Sequence, residues 1–599
     1  VCGIAGIIDY DRPVEAVHAE LLAMQRALAH RGPDGEGLHQ RGAVSLAHTR
    51  LAVHSPKQNP QPRLSPDGRY VLIFNGELYN REEIAHRYAR EFPFEDETDT
   101  EAILAALALD GEEALSLFNG MFALFFWDHR ERKGLLARDL LGVKPLLYER
   151  ISRRCVRFAS EAKALLAARP AGSRPSLHTP SLMEWVVMPS FSGVEHGMFE
   201  GIEVVPAGHL IRVSDRGLEP KRWGSFQPAK KRKPVDVLLD AVLRNVWTGI
   251  YRTAAAEVPI GAFLSGGFDS TLVTAVAALE NESLPTFTVR FEGQDRFDYA
   301  HSQITLEDDT PFAQMAAAEL KLPNTLVEVP RSNLARDLEE LARINDALPA
   351  WEQELAQHHL SRAASAQVKA VLVGDAADET HFGYHFLLDD EATASPEALM
   401  KRLGAHERMR LLSPELLQGR DADLLGSLAE RYRALAEANG QRWGDRNERI
   451  AATSSLVVQR WLGRLLHNGD VHTMAFGLEA RVPFADVDLL RMAESVSPEI
   501  GLHQGIEKWH LRQAMGGEMP DKIRWRKKSA LPKDQGTESI YRAEAQRLLK
   551  DDDRKLSRWL NLDVIRELAS LGRPLTELER AMLFQAICFW HFVRHHAVV

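Results

Sequence analysis

The segment Ser265-Gly266-Gly267-Phe268-Asp269-Ser270 has the residue types of a phosphate-binding loop. It follows a strand-like run, VPIGAFL, and opens a helical one, TLVTAVAALE. Two glycines let the backbone curl so that several N–H groups point inward, and the helix start adds partial positive charge. Small serine side chains supply further donors without blocking a phosphate. Asp269 puts a carboxylate where Mg²⁺ beside that phosphate needs an oxygen ligand. No GK[ST] follows, so this is not a Walker loop. A second loop, GDAADE from Gly374 to Glu379, follows the strand AVLV and sits where open α/β sheets bind ligands. Asp378 is placed to complete a metal site with Asp269; the plainer alternative is a solvated turn.

At the other end of the chain, Cys2 has only Val1 before it. A thiol at a true N-terminus can use its own α-amine, of pKa about 8, as the base that activates it. Nucleophilic chemistry therefore requires Val1 to be absent from the mature protein, as it would be if Val1 were a literally translated GTG start codon. The competing expectation is a small apolar residue opening a strand.

These residues need elements to hold them. CGIAGIID from Cys2 reads as a strand, and Val17, Leu21, Met24 and Leu28 form the stripe of an amphipathic helix. HRGPDGEG, from His30 to Gly37, reads as a loop. Further strands are expected at Val44–Val53, Tyr70–Gly76, Met121–Asp128 and Gly134–Asp139, with a helix at Asp99–Leu109. Many strands and few helices imply a sheet sandwich flanked by helices. From Pro206 to Pro234 prolines, glycines and the basic run AKKRK weaken the pattern, as expected of a linker. Beyond it, Ile260–Leu264, Thr286–Phe291 and Ala370–Gly374 alternate with helical segments, the signature of a helix-covered parallel sheet. The last two hundred residues read as mostly helical.

With 599 residues, two to four domains are expected. The net charge of −11 argues against a nucleic-acid or anionic-membrane partner. Three cysteines make no disulfide framework and suggest a reducing compartment. Without a signal peptide or a membrane-length apolar run, a cytoplasmic location is expected.

Twelve short motifs then follow one another in order: CGIAG at Cys2, HRGPD at His30, TRLAV at Thr49, FNGELYN at Phe74, TDTEAIL at Thr98, FNGMFAL at Phe118, LARDLLGVKPL at Leu136, FASEAKAL at Phe158, SGGFDS, GDAADE, GLEARVPFAD at Gly477 and RKKSALP at Arg526. The series resembles the glutamine-dependent asparagine synthetase family over almost the whole chain. The resemblance implies an α/β and α+β protein of two domains: an N-terminal αββα Ntn-hydrolase sandwich, and a C-terminal PP-loop ATP pyrophosphatase sheet with a helical end. Residues 1–210 would be the glutaminase, 211–235 the linker and 236–599 the synthetase. By matching motifs, Cys2 attacks the glutamine amide carbon. Asn75 and Gly76 form the oxyanion hole, Arg50 grips the α-carboxylate, and Glu77 and Asp99 hold the α-ammonium. In the synthetase half the resemblance assigns Mg²⁺ to Asp269 and Asp378, and the ATP pyrophosphate to Ser265, Gly266, Gly267 and Ser270. It assigns the adenine–ribose pocket to Leu264, Val289 and Gly374. Lys528 offsets charge built up while a carboxylate is adenylated, and tunnelled ammonia attacks the adenylate. A homodimer is compatible with the family.

The chain departs from the family's usual LSGDGADELFGGY. Val373 stands for Ser, Ala376 for Gly, and THFGY from Thr380 for LFGGY; elsewhere Leu140 replaces an Arg and Ala485 a Leu. Val373 removes a hydroxyl, and Ala376 restricts a loop that favours glycine. The acceptor therefore stays open between aspartate, another carboxylate of specialised metabolism, and intramolecular closure as in β-lactam synthetase and lasso peptide cyclase relatives. Those relatives typically lose the N-terminal Cys, which this chain keeps together with Arg50, Asn75 and Asp99.

Overall fold

The structure is a computed structural model describing residues 2–54, 60–193, 195–229, 234–294, 307–418, 421–529, 535–551 and 556–598. Val1, the basic residues 230–233 and residues 530–532 of RKKSALP lie outside the described residues.

Two six-stranded antiparallel sheets stack in the N-terminal half. The first runs Ile202–Val204, Leu147–Ser152, Cys155–Ala159, Cys2–Asp9, Val44–Arg50, Gly35–Arg41. Strand Cys2–Asp9 is buried on both faces, which is why it reads as a continuous apolar run. Side chains alternate across a strand, so Ile4 and Ile8 enter the core between the sheets. Ala5 and Ile7 meet Val17, Leu21, Met24 and Leu28 of the helical stripe at Val14–Ala27. The second sheet runs Gly217–Arg222, His209–Ser214, Lys133–Arg138, Gly120–Asp128, Tyr70–Leu78, Arg63–Leu64. Helix Asp99–Asp110 covers its outer face, capped by the Thr98 hydroxyl on Glu101 N–H. The result is four layers, helix–sheet–sheet–helix.

Two stretches differ from the sequence reading. Strand Gly35–Arg41 begins inside HRGPDGEG, and residues 211–222, expected as linker, belong to an edge hairpin of the second sheet. There Leu210, Ile211 and Val213 are buried while turn residues and charges surround them, so composition hid a short strand pair.

The C-terminal half centres on a five-stranded parallel sheet in the order Asn324–Val329, Thr286–Phe291, Ile260–Phe263, Ala370–Leu372, Glu479–Arg481. In chain order this is 3-2-1-4-5. The direction of winding reverses between Ile260–Phe263 and Ala370–Leu372, the switch point at which open α/β sheets bind ligands. Both candidate loops leave the carboxyl ends of these two strands. The closing helices pack on the sandwich: Trp185 stacks on Phe589, and Gln585 Nε2 donates to the carbonyls of Trp185 and Val186. No helix among the described residues is long and apolar enough to cross a membrane.

Candidate active site

Cys2 opens its strand directly opposite Arg50. Its nitrogen lies 2.8 Å from Asn75 Oδ1. Asn75 is fully buried, and its Nδ2 has no hydrogen-bond partner among the described residues. The amide is thus held by its oxygen near Cys2 while its N–H₂ remains unspent. Gly76 also leaves its N–H open, by register. Its cross-strand partner Phe122 spends its own N–H and carbonyl on Asp139, in the opposite direction. That makes Gly76–Phe122 a non-hydrogen-bonded pair, so Gly76 N–H faces the open edge beyond which only residues 63 and 64 pair. Gly76 has φ +152°, and a Cβ there would lie 2.0 Å from the Met121 carbonyl, so only glycine fits.

Glu77 and Asp99 are buried close by. Burial raises both carboxyls; Glu77, with Glu479 nearby, is pushed up to about 7. His54 Nε2 lies 3.3 Å from Glu77. Burial also pushes the Cys2 thiol up, against the Arg50 charge. Cys2, Arg50, Asn75, Gly76, Glu77 and Asp99 therefore share one site.

The sequence reading missed what joins this site to the rest. Arg31, within HRGPD, is wholly buried and donates from Nε to the Cys2 carbonyl at 3.1 Å. It pairs with Glu161 at 2.7 Å and with Asp470 of the C-terminal half at 2.8 Å. Arg481, also C-terminal, lies 3.6 Å from Glu77 and binds Glu479.

At the second site, Gly267 caps helix Phe268–Ala278. The Ser270 hydroxyl receives Ser265 N–H at 3.2 Å and lies 3.0 Å from Ser265 Oγ, while Ser265 Oγ receives Gly267 N–H at 3.3 Å. Gly266 has φ +71°, and a Cβ there would lie 2.3 Å from Ala313 N. Leu264 and Val289 are buried at the strand ends, with Leu264 N–H donating to the Phe287 carbonyl. Gly374 packs so closely that a Cβ would lie 3.0 Å from Ser270 N. Asp269 and Asp378 approach one another through Lys508, whose Nζ is 2.6 Å from Asp269 and 2.5 Å from Asp378. Lys528, more exposed, also pairs with Asp378. Burial opposes ionisation, but the two lysines hold Asp378 down to about 2.

Lys508 was not legible: GIEKWHLR carries no chemical signature, and its partners lie 239 and 130 residues away. Its backbone is left-handed, φ +54°, as are those of Ala376 (φ +72°) and Phe382 (φ +60°). Non-glycine residues in this region are strained by about 1–2 kcal/mol and cluster at functional sites. The restriction expected at Ala376 is thus a strained residue directly before Ala377–Thr380.

Mg²⁺ fits this donor set. Asp269 Oδ1 is buried without a hydrogen-bond partner among the described residues, and a second carboxylate shares its lysine. Hard oxygen donors of this kind, completed by phosphate oxygens, suit that ion.

One chain thus joins a double-sheet sandwich opened by Cys2 to a parallel sheet with a Ser-Gly-Gly loop at its switch point, and the family matches make these an amidotransferase and a ligase. Residues 1–224 match the glutamine amidotransferase domain family, and residues 250–590 match asparagine synthase. The chain belongs to the asparagine synthase family. Asparagine synthetase [glutamine-hydrolyzing] 3 of Bacillus subtilis (strain 168) is 29% identical over 546 residues, covering 89% of this chain and 87% of that protein. Asparagine synthetase [glutamine-hydrolyzing] 1 of the same organism is 27% identical over 567 residues, covering 89% and 87%. The probable asparagine synthetase [glutamine-hydrolyzing] of Schizosaccharomyces pombe is 25% identical over 585 residues, covering 93% and 89%.

Proposed function

We propose that the protein hydrolyses glutamine at Cys2 and uses the ammonia to amidate a carboxylate, aspartate in the first instance, through an acyl-adenylate. The observation that carries the first half is the unspent Asn75 Nδ2 beside Cys2. The thiolate attacks the amide carbon, and the developing oxyanion is met by Asn75 Nδ2 and Gly76 N–H. Ammonia leaves, and water releases glutamate from the thioester. Arg50 suits the planar α-carboxylate, and Glu77 with Asp99 suits the α-ammonium.

At the switch point the acceptor carboxylate attacks the α-phosphorus of ATP, and the bond to pyrophosphate breaks. Ser265, Gly266, Gly267 and Ser270 cradle the departing pyrophosphate. Asp269 and Asp378 would hold Mg²⁺, which when bound supplies charge neutralisation on phosphate oxygens. Lys508 and Lys528 place two cations where negative charge accumulates. Ammonia then attacks the acyl carbon, loses a proton, and AMP leaves. Ammonia must travel inside the protein, because in bulk water it is protonated.

A second reading, a carboxylate other than aspartate, is favoured by one feature. Beside Glu379, which receives the Tyr384 hydroxyl, Tyr384, Phe386 and Trp461 pack ring on ring. Glutamine, ATP and Mg²⁺ offered with a panel of acids test both readings. AMP and pyrophosphate should appear in step with the amide; ADP and orthophosphate would exclude adenylation.

A further inference from the structure

Where the two halves meet, away from both reaction centres, lies a cavity of about 460 Å³. Its wall carries His30, Lys163 and Arg169 from the N-terminal half, Arg343 from helix Leu334–Ile344, and His595 and His596 from the end of the last helix. No carboxylate among the described residues lines it. The basic side chains have acid partners outside the lining: Glu161 binds His30 and Lys163, Asp346 lies 3.4 Å from Lys163, Glu149 binds Arg169, and Glu340 binds Arg343. Lys163, Arg169 and Arg343 thus face the space while their carboxylate partners do not line it. Burial, then Arg343 and Lys163, lowers the His595 imidazole against the opposing pull of Asp346 and Glu340, and burial, His595 and Lys163 lower that of His596, so neither imidazole adds a charge to the wall.

The cavity wall is linked to Cys2 by two successive ion pairs and a hydrogen bond. Glu161, which holds His30 and Lys163, is the carboxylate that holds Arg31, and Arg31 donates to the Cys2 carbonyl. An anion in the cavity competes with Glu161 for Lys163 and His30 and so redistributes Glu161 toward Arg31.

We propose that this cavity binds a compact polyanion, a small molecule bearing phosphate or several carboxylates, and that its occupancy is transmitted through Glu161 and Arg31 to Cys2. Two guanidinium groups in one concave wall suit the planar or tetrahedral oxygen arrays of such anions.

The test is calorimetric titration of the whole chain with inorganic phosphate and, separately, tricarballylate. The nucleotide site is first filled by Mg²⁺ and α,β-methylene-ATP. The wild type is compared with the pair Arg169→Ala and Arg343→Glu, both in the cavity wall and neither in either reaction centre. Saturable binding at about 1 mM or tighter is expected, weakened by about tenfold or more in the variant; the tighter ligand identifies phosphate or polycarboxylate as the source. Glutamine hydrolysis by the wild type should shift by about fivefold on saturation, and the variant should lose that shift while keeping its basal rate. No saturable heat, or equal binding in the variant, overturns the site. Binding that leaves glutamine turnover unmoved overturns the transmission. Heat is read without glutamine, so failure of the glutaminase reading leaves the binding result standing.

Discussion

Asn75→Ala is the most incisive perturbation of the glutaminase half. The wild-type side chain is fully buried, its Oδ1 spent on the Cys2 nitrogen at 2.8 Å and its Nδ2 on nothing among the described residues. In a water-excluded site, one oxyanion donor contributes about 2.7–4 kcal/mol to the transition state. Taking about 3 kcal/mol, the variant should lose kcat for glutamate release by about 150-fold. Arg50, Glu77 and Asp99 remain, so KM for glutamine should move little. Asn75→Asp keeps an acceptor for the Cys2 nitrogen but gives up the donor and buries a charge, so it should fall at least as far. Initial rates of glutamate release measure the loss, and AMP formation driven by added ammonium salt serves as the internal control. A variant whose kcat stays within about threefold of wild type would show that the amide is structural and that the oxyanion is met elsewhere. Equal loss of the ammonium-driven reaction would mean that the substitution damages the fold rather than the hole.

Cys2→Ala should abolish glutamine use yet keep amidation with ammonium; loss of both would break the two-site division. Lys508→Met should abolish acceptor-dependent AMP formation while leaving glutamate release intact. It leaves two buried carboxylates sharing one less cation, so the synthetase half should also lose about 3–5 kcal/mol of stability, read as an earlier unfolding transition; full adenylation by the variant would remove Lys508 from the chemistry. Glu77, raised to about 7 by burial and Glu479, is neutral below that pH and anionic above it. Its grip on the glutamine α-ammonium should therefore strengthen as pH rises, KM falling between about pH 6 and 8. Glu77→Gln should flatten that dependence, and an unchanged KM profile in the variant would assign the titration to another group.

Much of this was readable in one dimension because it is local. The phosphate loop is six consecutive residues at a strand-to-helix turn. The nucleophile strand reads apolar because both its faces are covered, and the helical stripe of Val17, Leu21, Met24 and Leu28 is a matter of spacing. What stayed hidden depends on residues meeting across the fold. Lys508 becomes part of the site only when strands ending at 263 and 372 lie side by side and the turn at 505–509 folds over them. The hairpin at 209–222 escaped because its outer residues are charged and its turn residues resemble a linker. The same reasoning bears on how separable the two halves are. Arg31 spans from the Cys2 carbonyl to Asp470, and Arg481 spans from Glu479 to Glu77. Separating the halves would take Asp470 from Arg31 and Arg481 from Glu77, leaving each of these buried groups with a single ion-pair partner, Glu161 and His54. The proposed glutaminase site is thus completed by side chains from the C-terminal half. A fragment ending near residue 224 should release glutamate far more slowly than the intact chain, and a fragment that matched it would show these ion pairs to be dispensable.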